Sequence, residues 1–131
     1  MKIYFAGSIR GGRQDRDLYL AIINHLQNYG QVLTEHIGSE VIKKKSDQEI
    51  HNQDMNWLLK ADLLVAEVTT PSLGVGYELG RAIENSIPVI TLFRPSKDKK
   101  LSAMIAGAPH FKNFSYTNLE EVKSILDDVL S

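Results

Sequence analysis

Two carboxylates, Asp54 and Glu78, are of the residue types that act as a nucleophile and as a general acid or base. Glu78 follows the segment Pro71–Gly76, and we expect it in the first turn of a helix over 75–85. There the positive end of the helix dipole would favour the ionised carboxylate that a nucleophile requires. Tyr4, near the end of a predicted strand, could orient such a carboxylate. Each of these three residues could instead have a purely structural role. Glu78 would then be a stabilising first-turn glutamate, Asp54 a solvent-facing helical residue and Tyr4 a half-buried strand residue.

The glycine-rich segment after the first predicted strand is typical of an anion-binding loop. It consists of Gly7, Ser8, Ile9, Arg10, Gly11, Gly12 and Arg13. Glycines allow the backbone to approach a ligand closely, and the N–H groups at a helix N-terminus favour an anion. The serine and the two arginines add donors that suit phosphate. The spacing matches neither the dinucleotide fingerprint nor the P-loop, and a glycine-rich turn with solvated arginines is the alternative. Ser72, with the backbone around Gly74, forms a second possible anion site.

Other chemistries have little support in the residue types. The chain has no cysteine, which excludes disulfides, thiolate metal sites and a cysteine nucleophile. Its four histidines do not form a metal-binding pair on one helix face, so we expect neither a metal nor another cofactor. His36, just after the second predicted strand, is the histidine that we place beside the cleft.

The composition indicates a soluble enzyme or a protein that binds a small ligand. The 131 residues include 43% hydrophobic and 24% charged residues, with a net charge of −1. The absence of a basic excess argues against nucleic acid or an anionic membrane as a partner. No apolar run approaches the about 20 residues of a membrane span, and the N-terminal apolar run is too short for a signal peptide. We therefore expect a cytoplasmic location.

Short apolar runs alternate with amphipathic stretches along the whole chain, which favours one domain over residues 1–131. The predicted strands cover residues 3–6, 31–34, 62–68, 88–93 and 113–116. The predicted helices cover residues 17–29 (with Gly30 as the C-cap), 46–60, 75–85, 100–106 and 117–130. A polar connection is expected over 37–48. This alternation predicts an α/β fold, a three-layer flavodoxin-like doubly wound sheet of about five mostly parallel strands. Ligands of such sheets bind at the carboxyl ends of the strands, where the loops above lie.

Taken together, the loops resemble the 2′-deoxynucleoside 5′-phosphate N-hydrolases (the Rcl family) of the nucleoside 2-deoxyribosyltransferase superfamily. The resemblance is carried by Tyr4–Arg13, Leu33–His36, Ala66–Val68, Pro71–Arg81, Leu92–Pro95 and Leu101–Ile105. It covers nearly the whole chain and is weakest over residues 37–47 and after Gly107. The family cysteine after the aromatic pair of the first strand is Ala6 here, a conservative change.

The resemblance implies a homodimer that cleaves the N-glycosidic bond of a deoxynucleoside monophosphate, releasing a free base and 2-deoxyribose 5-phosphate. By position, Glu78 matches the nucleophile, Asp54 the general acid and Tyr4 the hydroxyl beside the nucleophile. Ser8, Arg10, the backbone of the first loop, and Ser72 would hold the phosphate. Ser102, in the segment Ser102-Ala103-Met104, would reach it from the other subunit. A reference glutamate pKa of about 4.3 would leave Glu78 ionised at neutral pH without any shift.

Three other functions remain open from the sequence. A nucleoside 2-deoxyribosyltransferase would share the nucleophile and the fold but would pass the sugar to a second base. The arginine-bearing loop and Ser102 favour the hydrolase, because a transferase acting on nucleosides needs no phosphate site. A ribonucleotide hydrolase of the same superfamily differs only in how the pocket treats the 2′ position. A catalytically silent nucleotide-binding module would keep the loops without turnover.

Overall fold

A single sheet with helices on both faces organises the parts of the chain that the computed structural model describes, residues 1–9, 12–34 and 45–131. Strands and helices alternate along these ranges. In chain order the elements are β1 Lys2–Gly7, α1 Gly12–Leu26, β2 Gln31–Leu33, α2 Asp47–Leu59, β3 Leu63–Glu67, α3 Leu73–Glu84, β4 Val89–Phe93, α4 Ala103–Ala106, β5 Phe111–Ser115 and α5 Leu119–Leu130.

The five strands of the described ranges are all parallel and lie in the order β2-β1-β3-β4-β5. This is the flavodoxin-like order, so the predicted α/β doubly wound sheet is confirmed. The strand order reverses between β1 and β3. The loops that leave the carboxyl ends of these two strands therefore diverge to opposite faces and leave a crevice between them.

Each strand of the sheet's centre sends alternate side chains to two separate apolar layers. On β1, Ile3 and Phe5 pack with α1 and α5, whereas Tyr4 and Ala6 pack with α2 and α3. Because both faces are covered, central strands such as β3 and β4 are buried along their whole length. The same alternation determines which face receives each polar residue near a strand end.

Several element boundaries differ from the predicted ones. Helix α1 begins at Gly12, five residues before the expected start, and ends at Leu26, so Gly30 lies beyond a turn and is not its C-cap. The predicted loop over residues 7–13 therefore ends at the first turn of α1. Helix α3 begins at Leu73, two residues early, because the Ser72 side chain accepts a hydrogen bond from the Val75 N–H and caps the helix.

Other elements also differ from their predicted bounds, and α4 begins at Ala103, three residues after the expected start. Strand β2 is one residue shorter than predicted, and β5 covers Phe111–Ser115 instead of residues 113–116. Most of the polar connection predicted over 37–48 lies outside the described residues. Within the ranges described, no helix has both the length and the apolar character needed to cross a membrane.

The end of α3 generates a stability prediction at Ser86, whose φ of 57° is in the left-handed region. The Ile87 N–H bonds the Ala82 carbonyl and the Ser86 N–H bonds the Ile83 carbonyl, which is the Schellman arrangement that favours glycine at this position. Ser86→Gly should raise the free energy of unfolding by about 1 kcal/mol, measured by urea denaturation. Asn85→Gly, at a position with a φ of −103°, is the control and should not stabilise. A loss of stability in Ser86→Gly would contradict the prediction.

Candidate active site

A cavity of about 550 Å³ opens at the carboxyl edge of β1 and β3, where the strand order reverses. It is bounded by the end of β1, one face of α2 and the first turns of α3. The lining residues are Tyr4, Phe5, Ala6, Gly7, Ser8, Ile9, Thr34, Ile50, Asp54, Pro71, Ser72, Leu73, Gly74, Val75 and Glu78. All three residues predicted from the sequence as catalytic are thus in one cavity.

The hydroxyl of Tyr4 donates a hydrogen bond to Oε2 of Glu78, joining β1 to α3. Tyr4 is 4% exposed and belongs to the apolar layer between the sheet and the α2–α3 pair. Because its position on β1 directs it to this face, its hydroxyl reaches the carboxyl group across the layer. The arrangement fixes one oxygen of Glu78 and leaves the carboxyl group bordering the cavity.

The surroundings of Glu78 favour its neutral form. Burial raises the pKa of Glu78, the hydrogen bond from Tyr4 lowers it, and the negative charge of Asp54 raises it, with a resulting pKa of about 7. The expectation that Glu78 is ionised at neutral pH without any shift is therefore wrong. A carboxyl group with this pKa is divided between its two protonation states near pH 7, and the Tyr4 hydroxyl stabilises the ionised one.

The predicted position of Glu78 in the first turn of a helix is also wrong. Since α3 begins at Leu73, Glu78 lies in the second turn, and the first turn holds no acidic residue. The helix dipole acts mainly within the first turn, so it contributes little to the ionisation of Glu78. The ionised form of Glu78 is stabilised by the hydrogen bond from the Tyr4 hydroxyl, and not by the helix dipole as predicted.

Asp54 faces the same cavity from α2, close enough for its charge to raise the pKa of Glu78. Ile50 lies one helical turn earlier on α2 and lines the cavity beside it. No role in the site was predicted for Ile50 or for Thr34, which also lines the cavity. The i, i+4 spacing of Ile50 and Asp54 was the available signal for the first of these residues.

Several of the predicted phosphate-binding residues line this cavity. Ser8 is buried at the end of β1, and Ser72 and Gly74 lie at the start of α3. A serine hydroxyl that accepts an N–H bond, as that of Ser72 does, keeps an O–H donor for a ligand. The cavity also borders the N-terminal turn of α3, whose N–H groups favour an anion.

Gly7 and Ile9 of the first loop line this cavity as well, whereas the three residues predicted around Ser102 do not. Gly12 and Arg13 open α1. Ser102, the N-cap of α4, and Met104 instead line a neighbouring groove of about 560 Å³, with Ala103 exposed between them. Arg10, Gly11 and His36 lie outside the described residues. In residues 1–9, 12–34 and 45–131, no three histidine or acidic side chains gather as metal ligands would.

Comparison with known proteins identifies relatives over nearly the whole chain. The family model described as nucleoside 2-deoxyribosyltransferase matches residues 3–121. A Nematostella vectensis protein, provisionally named a 2′-deoxynucleoside 5′-phosphate N-hydrolase, is 55% identical over 126 residues, covering 92% of this chain and 86% of its own. The Rattus norvegicus 5-hydroxymethyl-dUMP N-hydrolase is 50% identical over 133 residues, covering 95% of this chain and 82% of its own.

Among solved structures, a Clostridium botulinum CMP N-glycosidase superimposes with a TM-score of 0.75 at 18% identity, covering 97% of this chain and 99% of its own. At this identity the match shows that the two proteins share a fold.

The raised pKa of Glu78 generates a prediction for stability. The folded-state pKa of about 7 exceeds the reference value of 4.5, so the folded protein binds this proton more tightly and loses stability as the pH rises from 4.5 to 7. Glu78→Gln should therefore raise the free energy of unfolding by about 1–3 kcal/mol at pH 8, and the gain should vanish towards pH 4.5. Urea denaturation across this pH range measures the difference.

Glu84→Gln, at an exposed position of the same helix, is the matched control and should lack this pH-dependent gain. A Glu78→Gln variant that is no more stable than the unaltered protein at pH 8 would show that Glu78 is ionised there at no cost.

Proposed function

Because the chain belongs to the nucleoside 2-deoxyribosyltransferase family, we propose that Glu78 is the nucleophile of an N-glycosidase acting on 2′-deoxynucleoside 5′-monophosphates. The products are the free base and 2-deoxyribose 5-phosphate. The observation that carries the proposal is the Glu78 carboxyl group, held by the Tyr4 hydroxyl in a cavity that Asp54 also lines. Relatives about half identical to this chain carry the names of deoxynucleotide N-hydrolases, which supports the same activity here.

The proposed reaction proceeds in two steps through an oxocarbenium-like state. One oxygen of ionised Glu78 bonds to C1′ as the C1′–N bond breaks, and Asp54 gives its proton to the departing base. Water then attacks C1′, gives a proton back to Asp54 and releases Glu78. Tyr4 stabilises the carboxylate before the attack and after its release. The raised pKa of Glu78 means that the ionised fraction of the nucleophile rises through neutral pH.

The phosphate group is proposed to lie between the two chain segments that leave β1 and β3. Ser8 and the start of α1 provide one half of this phosphate site, with Arg10 and Arg13 as charged donors. Ser72 and the first turn of α3 provide the other half. Donors from two helix N-termini and two serines suit a dianion better than a neutral 5′-hydroxyl group. These donors favour a nucleotide over a nucleoside as the substrate.

We also propose that the reaction takes place in the cytoplasm.

We also propose that the protein acts as a homodimer. Leu73 is 96% exposed and Met104 is 84% exposed, both at the neighbouring groove. Gly76 and Gly80 lie one helical turn apart on α3, and a Cβ atom at either would meet nothing within 4 Å, which leaves room for a second copy. Burying such a patch in a two-fold interface is a common solution. Leu73 lines both the groove and the cavity, so a partner seated in the groove would carry its Ser102 towards the phosphate site.

The activity is tested by incubating the protein with a panel of deoxynucleoside 5′-monophosphates and the matching nucleosides, with and without a free acceptor base. We expect free base and 2-deoxyribose 5-phosphate from the monophosphates, resolved by chromatography. Glu78→Ala should lose at least about 1,000-fold in turnover, because the nucleophile is absent, while still binding the monophosphate.

Glu84→Ala, an exposed glutamate of α3, is the matched control and should keep full turnover. New nucleoside formed only when the acceptor base is present would identify a transferase instead. A Glu78→Ala variant as active as the unaltered protein would overturn the assignment of the nucleophile.

The dimer proposal predicts complementation between two defective variants. Glu78→Ala and Ser102→Ala, each weak alone at low substrate concentration, should gain activity when unfolded and refolded together. One site of the mixed dimer then combines the intact Glu78 of one subunit with the intact Ser102 of the other. Random pairing should restore up to about a quarter of the unaltered activity. Activity equal to the average of the separate variants would show that Ser102 serves no neighbouring site.

A further inference from the structure

A second polar cluster lies behind the sheet, on the face opposite Glu78. Glu67 is the last residue of β3 and is 1% exposed, facing the α1–α5 layer. Within the described part of the chain, its carboxyl group accepts the Thr69 N–H at 2.9 Å, the Thr69 hydroxyl at 2.7 Å and the Tyr116 hydroxyl. Neither Glu67 nor Tyr116 lines the cavity, so this carboxyl group takes no direct part in the proposed chemistry.

The stability of the fold does not by itself explain a buried carboxyl group at this position. Buried charged groups can often be replaced by apolar ones of similar volume at little cost, or with a gain in stability. Hydrogen bonds in a buried network, in contrast, fix the relative positions of the segments that they join. The position of the cluster at the carboxyl edge of the sheet indicates which segments these are.

The cluster ties the segment after β3 to two neighbouring elements. The Thr69 hydroxyl, which donates to Glu67, also accepts the Arg94 N–H at 2.9 Å, just after β4. The Arg94 guanidinium in turn contacts Asp15 of α1, with Nη2 and Oδ1 3.3 Å apart. The Thr70 hydroxyl reaches the other oxygen of Asp15 at 3.5 Å.

These connections join the two halves of the proposed phosphate site. Asp15 lies in the first turn of α1, which follows the Ser8 half. Thr69 and Thr70 directly precede Pro71 and Ser72, which form the other half. A shift of the segment after β3 would therefore change the distance between Ser8 and Ser72.

We propose that Glu67 and Thr69 are positioning residues that set the spacing between the two halves of the phosphate site. The inference rests on the proposed function, because it takes the phosphate site as the feature being positioned. It predicts that damage to the cluster weakens the binding of phosphate-bearing ligands and leaves the chemistry at Glu78 nearly unchanged, since Tyr4 and Glu78 are joined on the other face of the sheet.

Thr69→Val tests the inference, because it removes the hydroxyl and keeps the shape of the side chain. We expect the KM for deoxynucleoside monophosphates to rise about five- to tenfold, as for the loss of one or two hydrogen bonds, with kcat within about twofold. The inhibition constant of inorganic phosphate should rise by the same factor. Thr69→Ser restores the hydroxyl and should return both constants to within about twofold of the unaltered values.

Val89→Ala is the control for a general loss of stability, because Val89 is buried at the opposite edge of the sheet, at the start of β4. It should lower the melting temperature without changing either constant. Tyr116→Phe removes a different donor to Glu67 and should raise both constants in the same direction, which keeps the test available if Thr69→Val does not fold.

Two results would overturn the inference: both constants unchanged in Thr69→Val and Tyr116→Phe, or a fall in kcat with KM unchanged. Absence of base release by the unaltered protein would instead contradict the proposed function. In that case, calorimetric titration of the same variants with inorganic phosphate still tests the cluster. Equal affinities for phosphate would then refute it.

Discussion

The hydrogen bond between the Tyr4 hydroxyl and the Glu78 carboxyl group crosses the apolar layer that joins β1 to α3. It can form only if a parallel strand at the centre of the sheet and a helix packed on it are held in one register. It also offsets part of the effect of burial, which raises the pKa of Glu78, since this hydrogen bond is the interaction that lowers that pKa. The reactivity of the carboxyl group therefore depends on the packing of the sheet against one helix layer.

The two faces of the sheet carry residues with different proposed roles. The face covered by α2 and α3 carries Tyr4, Asp54 and Glu78, the groups assigned to bond cleavage. The opposite face carries the Glu67 cluster, which joins the segments that leave β1, β3 and β4. This separation follows from strand geometry, because consecutive residues of a strand point to opposite faces. The proposed phosphate binding and the proposed bond cleavage would thus respond to substitutions on different sides of the same strands.

The sequence predicted the fold well because its central strands are continuous apolar runs bounded by turn residues. Helix starts were less predictable: α1 begins at a glycine, and α3 begins at the exposed Leu73, neither of which is a helix signal. The joint placement of Tyr4, Asp54 and Glu78 was anticipated through the strand-order rule and the family resemblance. The pKa of Glu78 was not, because it depends on burial and on a contact between residues 74 positions apart. The Glu67 cluster was missed for the same reason, since its donors come from separate segments.

The position of Leu73 has a consequence for how the protein would behave in a cell. Its side chain is 96% exposed and belongs both to the cavity and to the groove proposed as the subunit interface. The proposed site is therefore complete only in the dimer. The fraction of the protein that is dimeric depends on its concentration, by the law of mass action. Specific activity would then rise with the abundance of the protein itself. At low expression, an increase in the amount of protein would raise nucleotide turnover more than proportionally. Once nearly all of the protein is dimeric, turnover would rise in proportion to its amount.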